Sequence, residues 1–204
     1  MKTRLFAAFA LGLSLIGGMA MAQNQGQNPV TRLRGTIQTV TATSLSLVTN
    51  DGRTVTVALT GKTHVIGVSH GTMKDIKPDS YIGTAAMPQP DGSQKALEVS
   101  VFDPAMRGVG DGHYAWDLAP GSTMTNGAVG SLVGTHGRTM TVKYKGGEQM
   151  VTVPAGVPIV AVAPGDRSLL KAGAHAIVMV PQGGKGMMDA AAVLVGRNGM
   201  VPPM

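Results

Sequence analysis

The chain of 204 residues contains no cysteine. That removes disulfide bridges, thiolate catalysis and lipid attachment through a cysteine in one step. Aromatic residues make up 3% of the sequence, with one tryptophan, Trp116. Proteins that hold single strands stack bases on aromatic platforms in a basic groove. Here the rings are missing and the 17 lysines and arginines are dispersed along the chain, so no nucleic-acid partner is expected. Glutamate occurs only as Glu98 and Glu148, which leaves glycosidase chemistry without an evident carboxylate pair. There is no Gly-x-Ser-x-Gly elbow. Gly183-Gly184-Lys185-Gly186 lacks the spacing of a phosphate loop and a following Ser or Thr, and reads as a hairpin turn. These absences point away from an enzyme.

What is present begins with an export signal. Lys2 and Arg4 precede the apolar run Leu5 to Ile16, and Ala20-Met21-Ala22 offers a small-x-small cleavage site. The run is shorter than the roughly 20 residues that cross a bilayer. Residues 1–22 are thus expected to be a signal peptide, and polar residues 23–29 a disordered start. Cleavage leaves 204 − 22 = 182 residues. No later run is long and apolar enough to cross, so a periplasmic or secreted protein that does not span the membrane after cleavage is expected. The formal charge of +6 becomes +4 when Lys2 and Arg4 leave.

The mature part repeats itself. Arg34-Gly35-Thr36-Ile37, Val55-Thr56-Val57 and Ala96-Leu97-Glu98-Val99 return as Val129-Gly130-Ser131-Leu132, Val151-Thr152-Val153 and Ala190-Ala191-Ala192-Val193. The spacings are 130 − 35 = 95, 151 − 55 = 96 and 190 − 96 = 94. Each copy reads as five or six short strands with period-2 alternation, Asn-Asp-Gly or Gly-Gly turns and one helical turn. So many short strands in so small a unit predict closure, which removes exposed edges. The expected fold is all-β: two tandem small OB-like β-barrels related by internal duplication. Residues 30–102 form the first barrel, 103–126 an ordered connector, 127–196 the second barrel and 197–204 a C-terminal tail.

The unit Arg34-Gly35-Thr36-Ile37, Val55-Thr56-Val57, Asp75-Ile76-Lys77-Pro78 and Ala96-Leu97-Glu98-Val99 resembles a bacterial exported domain family of unknown function. The segment from Phe102-Asp103-Pro104 through Trp116-Asp117-Leu118 to Thr125-Asn126 resembles the link of its tandem members, and the ending Val201-Pro202-Pro203-Met204 fits them too. The resemblance implies small OB-like barrels and supplies no catalytic residue. Such proteins often carry a metal transport permease label, which this sequence does not support because it lacks spanning helices after the signal.

The connector holds the candidate site. Arg107, His113, Trp116 and Asp117 are the residues through which binding is expected, of a protein partner or a cell-envelope component. In the blander reading the same segment is a packed clasp, with Trp116 mostly buried between the barrels and Arg107 paired to Asp111 or Asp117. The alternative is a soft metal such as copper, held by Met106, His113 and Met124, since thioether and imidazole suit it. No other cofactor is expected. Methionine also fills core gaps, and the lone His64, His70, His136 and His175 read as structural.

Overall fold

The computed structural model describes residues 30–133, 138–182 and 188–204. The expected signal peptide (1–22), polar start (23–29), His136, Met187 and the Gly183 to Gly186 turn lie outside the described residues.

Period-2 patterning produces strands as expected. β1 (Val30–Val40) buries Leu33, Gly35 and Ile37, and β2 (Ser44–Thr49) buries Leu45, Leu47 and Thr49. The turn between β2 and β3 (Thr54–Ala58) places Gly52 at φ 82°. β4 (His64–His70) leads to a 3-10 turn at Met73–Asp75, where Asp75 accepts the Thr72 backbone N–H at 2.7 Å. Then come β5 (Tyr81–Pro88) and β6 (Gln94–Phe102). A second 3-10 turn, Pro104–Met106, opens the connector. The connector also contains a strand that its sequence did not suggest, β7 (Gly112–Ala115). β8 (Thr123–Val133), β9 (Thr139–Tyr144), β10 (Gly147–Thr152), β11 (Ile159–Pro164), β12 (His175–Pro181) and β13 (Ala192–Gly196) complete the chain.

The fold is all-β and contains one closed five-stranded barrel. Its strands run β8-β9-β10-β6-β5 and back to β8. Every contact is antiparallel except β10 with β6, where Val151 faces Gln94. Its interior is Ile82, Ala96, Val99, Val129, Met140, Val142, Val151 and Val153, capped by Ile76. β7 adds to β8 on the side that β9 occupies further along.

The barrel is not cut from one contiguous segment. Its β5 and β6 come from 30–102 and its β8 to β10 from 127–196, so the boundary drawn at the connector does not follow the pairing. The other strands show the reciprocal arrangement. β1-β2-β3 pair with each other, β1 pairs with β12, and β12 pairs with β13. A single parallel bridge, Ala58 to Asp189, links the end of β3 to the segment before β13. Leu33, Ile37, Leu45, Leu47, Val57, Leu59, Leu170, Val178, Val180, Val193 and Val195 fill the space they surround.

β4 and β11 join the two groups. Val68 faces Val162 in their antiparallel pair, β4 runs parallel to β13 with Val65 opposite Val193, and β11 runs parallel to β6 with Ile159 opposite Val99. These positions are related by one shift: 162 − 68, 193 − 99 and 159 − 65 all equal 94. The first strand deviates because the β8–β9 connection is longer: Val40 pairs with Leu45 five positions on, whereas Leu132 pairs with Met140 eight positions on, while the bulges after Ile37 and Val129 stay in step. A Cβ on Gly35 would collide with the Val48 carbonyl oxygen, and one on Gly127 with the Lys143 carbonyl oxygen. Gly127, rather than Gly130, therefore takes the place that Gly35 holds. Likewise Val57, rather than Val55, corresponds to Val151, since Val57 faces Leu45 and Val151 faces Met140.

Candidate functional site

A third packed layer lies over the middle of the sheet. Met106 from the connector and Met200 and Met204 from the tail cover Val68, Val160, Val162 and Leu194. Beside this layer opens a cavity of about 570 Å³, within the usual range for small-molecule sites. Its wall draws on both strand groups: Arg32 from β1, Gly83 and Ser100 from β5 and β6, Met124 and Asn126 from β8, Met179 from β12 and Leu194 from β13. The connector supplies Met106, Tyr114 and Trp116. Most of this surface is apolar.

The polar groups are few, and several lack partners. Among the described residues, Arg32 Nε, Trp116 Nε1 and Asn126 Oδ1 are buried without a hydrogen-bond partner, and all three residues line the cavity. Native structures leave few buried polar atoms in that condition, so three around one cavity call for an explanation. The Arg32 guanidinium lies 3.6 Å from the Trp116 ring centroid, a cation–π contact. Asn126 Nδ2 donates to Tyr114 Oη at 3.2 Å and to the Val109 carbonyl at 3.3 Å, which leaves its oxygen free.

Asp117 sits at the edge. Arg34 grips it through both terminal nitrogens, at 3.1 and 2.8 Å, while Arg32 stands 3.7 Å away. Burial acts to raise the Asp117 pKa, but the Arg34 hydrogen bond and charge, with Arg32, hold it below the ordinary carboxylate value. Arg34 Nε also donates to the Met204 main-chain carboxyl oxygen at 2.7 Å and so pins the tail. Burial, aided by Arg34 and opposed by Asp117, pulls the Arg32 pKa below its usual value.

The four residues singled out in the connector do not form one cluster. Trp116 and Asp117 meet Arg32 and Arg34 at the cavity. Arg107 is elsewhere, donating to the Asp79 side chain at 2.7 Å and to its carbonyl at 2.8 Å. It pairs with neither Asp111 nor Asp117, because Asp111 accepts from Tyr81 Oη and the Lys145 backbone while Asp117 belongs to Arg34. His113 bonds Thr125 Oγ1 at 2.8 Å and stacks on Tyr144. Burial lowers its pKa and favours the neutral ring. Trp116 is half-buried, more open than the clasp reading expects, since the cavity lies against its ring.

The copper set is split in the same way. Met106 and Met124 both line the cavity, but His113 does not. β7 alternates, so Tyr114 shares a face with its partner Met124 while His113 points to the other side. Met179 and Met204 line the cavity as well, with His64. Among the described residues no group of three or more His, Asp and Glu is placed to hold a metal ion.

Comparisons with protein-family models, curated proteins and solved structures gave no match. The functional argument therefore rests on the cavity itself. Arg32 and Arg34 were missed as site residues in the sequence. Their one available signal was spacing: in a strand, positions two apart share a face, so both guanidinium groups point one way.

Proposed function

We propose that this is a non-enzymatic, exported binding protein, and that the cavity is where it takes up an apolar part of a cell-envelope component. The observation that carries this reading is the cavity's composition. Its apolar wall is built from both strand groups and the connector, and three buried polar atoms on it have no partner among the described residues. Ligand sites are commonly apolar hollows with a few polar groups that fix orientation. The expected N-terminal signal supports export, and the shift of 94 between paired strands supports descent by duplication within the tandem small-barrel family that the sequence resembles. Among the described residues no helix is long and apolar enough to cross a membrane.

The test uses the neutral fluorophore N-phenyl-1-naphthylamine. It should bind saturably, and Ala192→Phe, which puts a ring into the cavity, should weaken it about tenfold while leaving the thermal midpoint within a few degrees, one such loss being about 1.4 kcal/mol. Non-saturable uptake, or equal binding by the variant, would remove the cavity from consideration.

A second reading keeps the soft metal. Four methionines, Met106, Met124, Met179 and Met204, line this one cavity, and thioethers select cuprous ion. Elemental analysis of protein purified from the periplasm, with near-stoichiometric copper lost in Met106→Leu/Met124→Leu, would favour it over the apolar ligand.

A further inference from the structure

We propose that the ligand of this cavity is an amphipathic anion, an apolar chain ending in a carboxylate or phosphate, with the head seated on Arg32 and Trp116. The inference rests on the cavity being the binding site and deepens that reading.

The argument begins with hydrogen-bond accounting. Two of the unpartnered atoms, Arg32 Nε and Trp116 Nε1, are donors, and the guanidinium lies over the indole. A ligand that satisfies both must bring an acceptor. A partly buried arginine has a stronger demand than a neutral donor, because a charge drawn out of water costs more when left uncompensated. Its side chain is 16% exposed. The nearest carboxylate in the described residues, Asp117, is 3.7 Å away and is already held by Arg34. Arg34 already holds both Asp117 and the Met204 oxygen, so among the described residues Arg32 is left without a hydrogen-bonded acid of its own.

The rest of the wall decides the other end of the ligand. Met106, Met124, Met179 and Leu194 offer nothing to a polar chain, and methionine adapts to flexible apolar shapes. A compact anion such as free phosphate would satisfy Arg32 and leave this surface bare. A neutral apolar molecule would fill the wall and leave two donors buried without partners. Only a molecule with both parts meets both demands. Asp117 then acts as a competitor for Arg32 that the head group displaces.

Trp116 is the sole indole and lies in the proposed head-group seat, so its fluorescence reports binding directly. Decanoate, decyl phosphate, decanol and decyltrimethylammonium, each below its micelle concentration, are titrated into the intact protein. Decanoate or decyl phosphate should bind about tenfold or more tighter than decanol, the scale of one hydrogen bond to a charged group. The ammonium should bind weakest. The ratio between decanoate and decyl phosphate separates a fatty-acid head from a lipid phosphate. Arg32→Gln should bring the anions down to the level of decanol and leave decanol unchanged. Asp117→Asn should act the opposite way, tightening the anions several-fold without moving decanol, so a folding defect cannot imitate both results. Decanol binding as tightly as decanoate in the intact protein would overturn the anionic head and leave the apolar cavity standing. Saturable binding by none of the four would overturn the cavity reading as well.

Discussion

Glu98 shows how one residue can respond to the whole environment. It is fully buried on β6, accepts the Ser100 hydroxyl at 2.5 Å, and has an Oε2 without a partner among the described residues. Burial raises its pKa to about 7, against smaller opposing effects of Ser100 and the Arg34 charge. The folded state therefore holds this proton more tightly than the unfolded chain does. Its contribution is most favourable below the unfolded value near 4.5, declines as pH rises between there and about 7, and is least favourable above that. Glu98→Gln should remove this decline. Urea unfolding of both proteins from pH 4.5 to 8 should show the variant gaining relative to the parent as pH rises, by on the order of 3 kcal/mol across the window. Taking the difference cancels His113, whose lowered pKa works in the opposite direction. A constant difference across the window would mean that Glu98 is ionised throughout.

At the scale of the element, β8 shows why aligned residues need not be equivalent. Both Gly127 and Gly130 sit in this strand, and the sequence match favours Gly130. Backbone contact favours Gly127. A Cβ there would strike the Lys143 carbonyl, which cannot move without breaking the β8–β9 ladder. At Gly130 it would meet the Lys143 side chain, with Cε 2.9 Å away, and that flexible end can swing aside. Gly127→Ala should cost about 2 kcal/mol, as overpacking does, and Gly130→Ala should stay within about 0.5 kcal/mol. Equal urea midpoints for the two variants would refute the assignment. The sequence spacings drift between 94 and 96 because they match Gly35 and Val55 to residues that are not their structural counterparts, while the later strands obey one shift.

For the whole molecule, the decisive feature is which strand pairs with which. Thr36 on β1 faces His175 on β12, with Oγ1 and Nδ1 3.1 Å apart. If each sequence copy closed on itself, β1 would pair with β5 and Thr36 would face Tyr81, the counterpart of His175. The lack of native cysteine makes the choice easy to read. Thr36→Cys with His175→Cys should form a disulfide under mild oxidant, since antiparallel neighbours lie within the Cα range that the bond spans. Thr36→Cys with Tyr81→Cys should stay reduced. Mass analysis that finds the second pair linked and the first free would exclude the exchange of strands.

The sequence by itself determined the strands, their buried faces and most turns. Alternation at Leu45 and Leu47 or at Val55 and Val57 is local, and a period of two is enough to choose a strand and its inner side. It also marked out the connector, which supplies Trp116 to the cavity wall and Asp117 to its edge. It could not assign partners. β5 and β12 are both apolar strands with compatible register, so nothing within either says whether it closes its own copy or the other. That was decided by tertiary structure, where β4 and β11 pair across the molecule and carry β6 and β13 to opposite groups. The cavity follows from the same event. Arg32 and Met124 lie 92 residues apart in sequence, and only the crossing of strands gives them one wall, because a concave surface is a property of packed elements rather than of any segment in them.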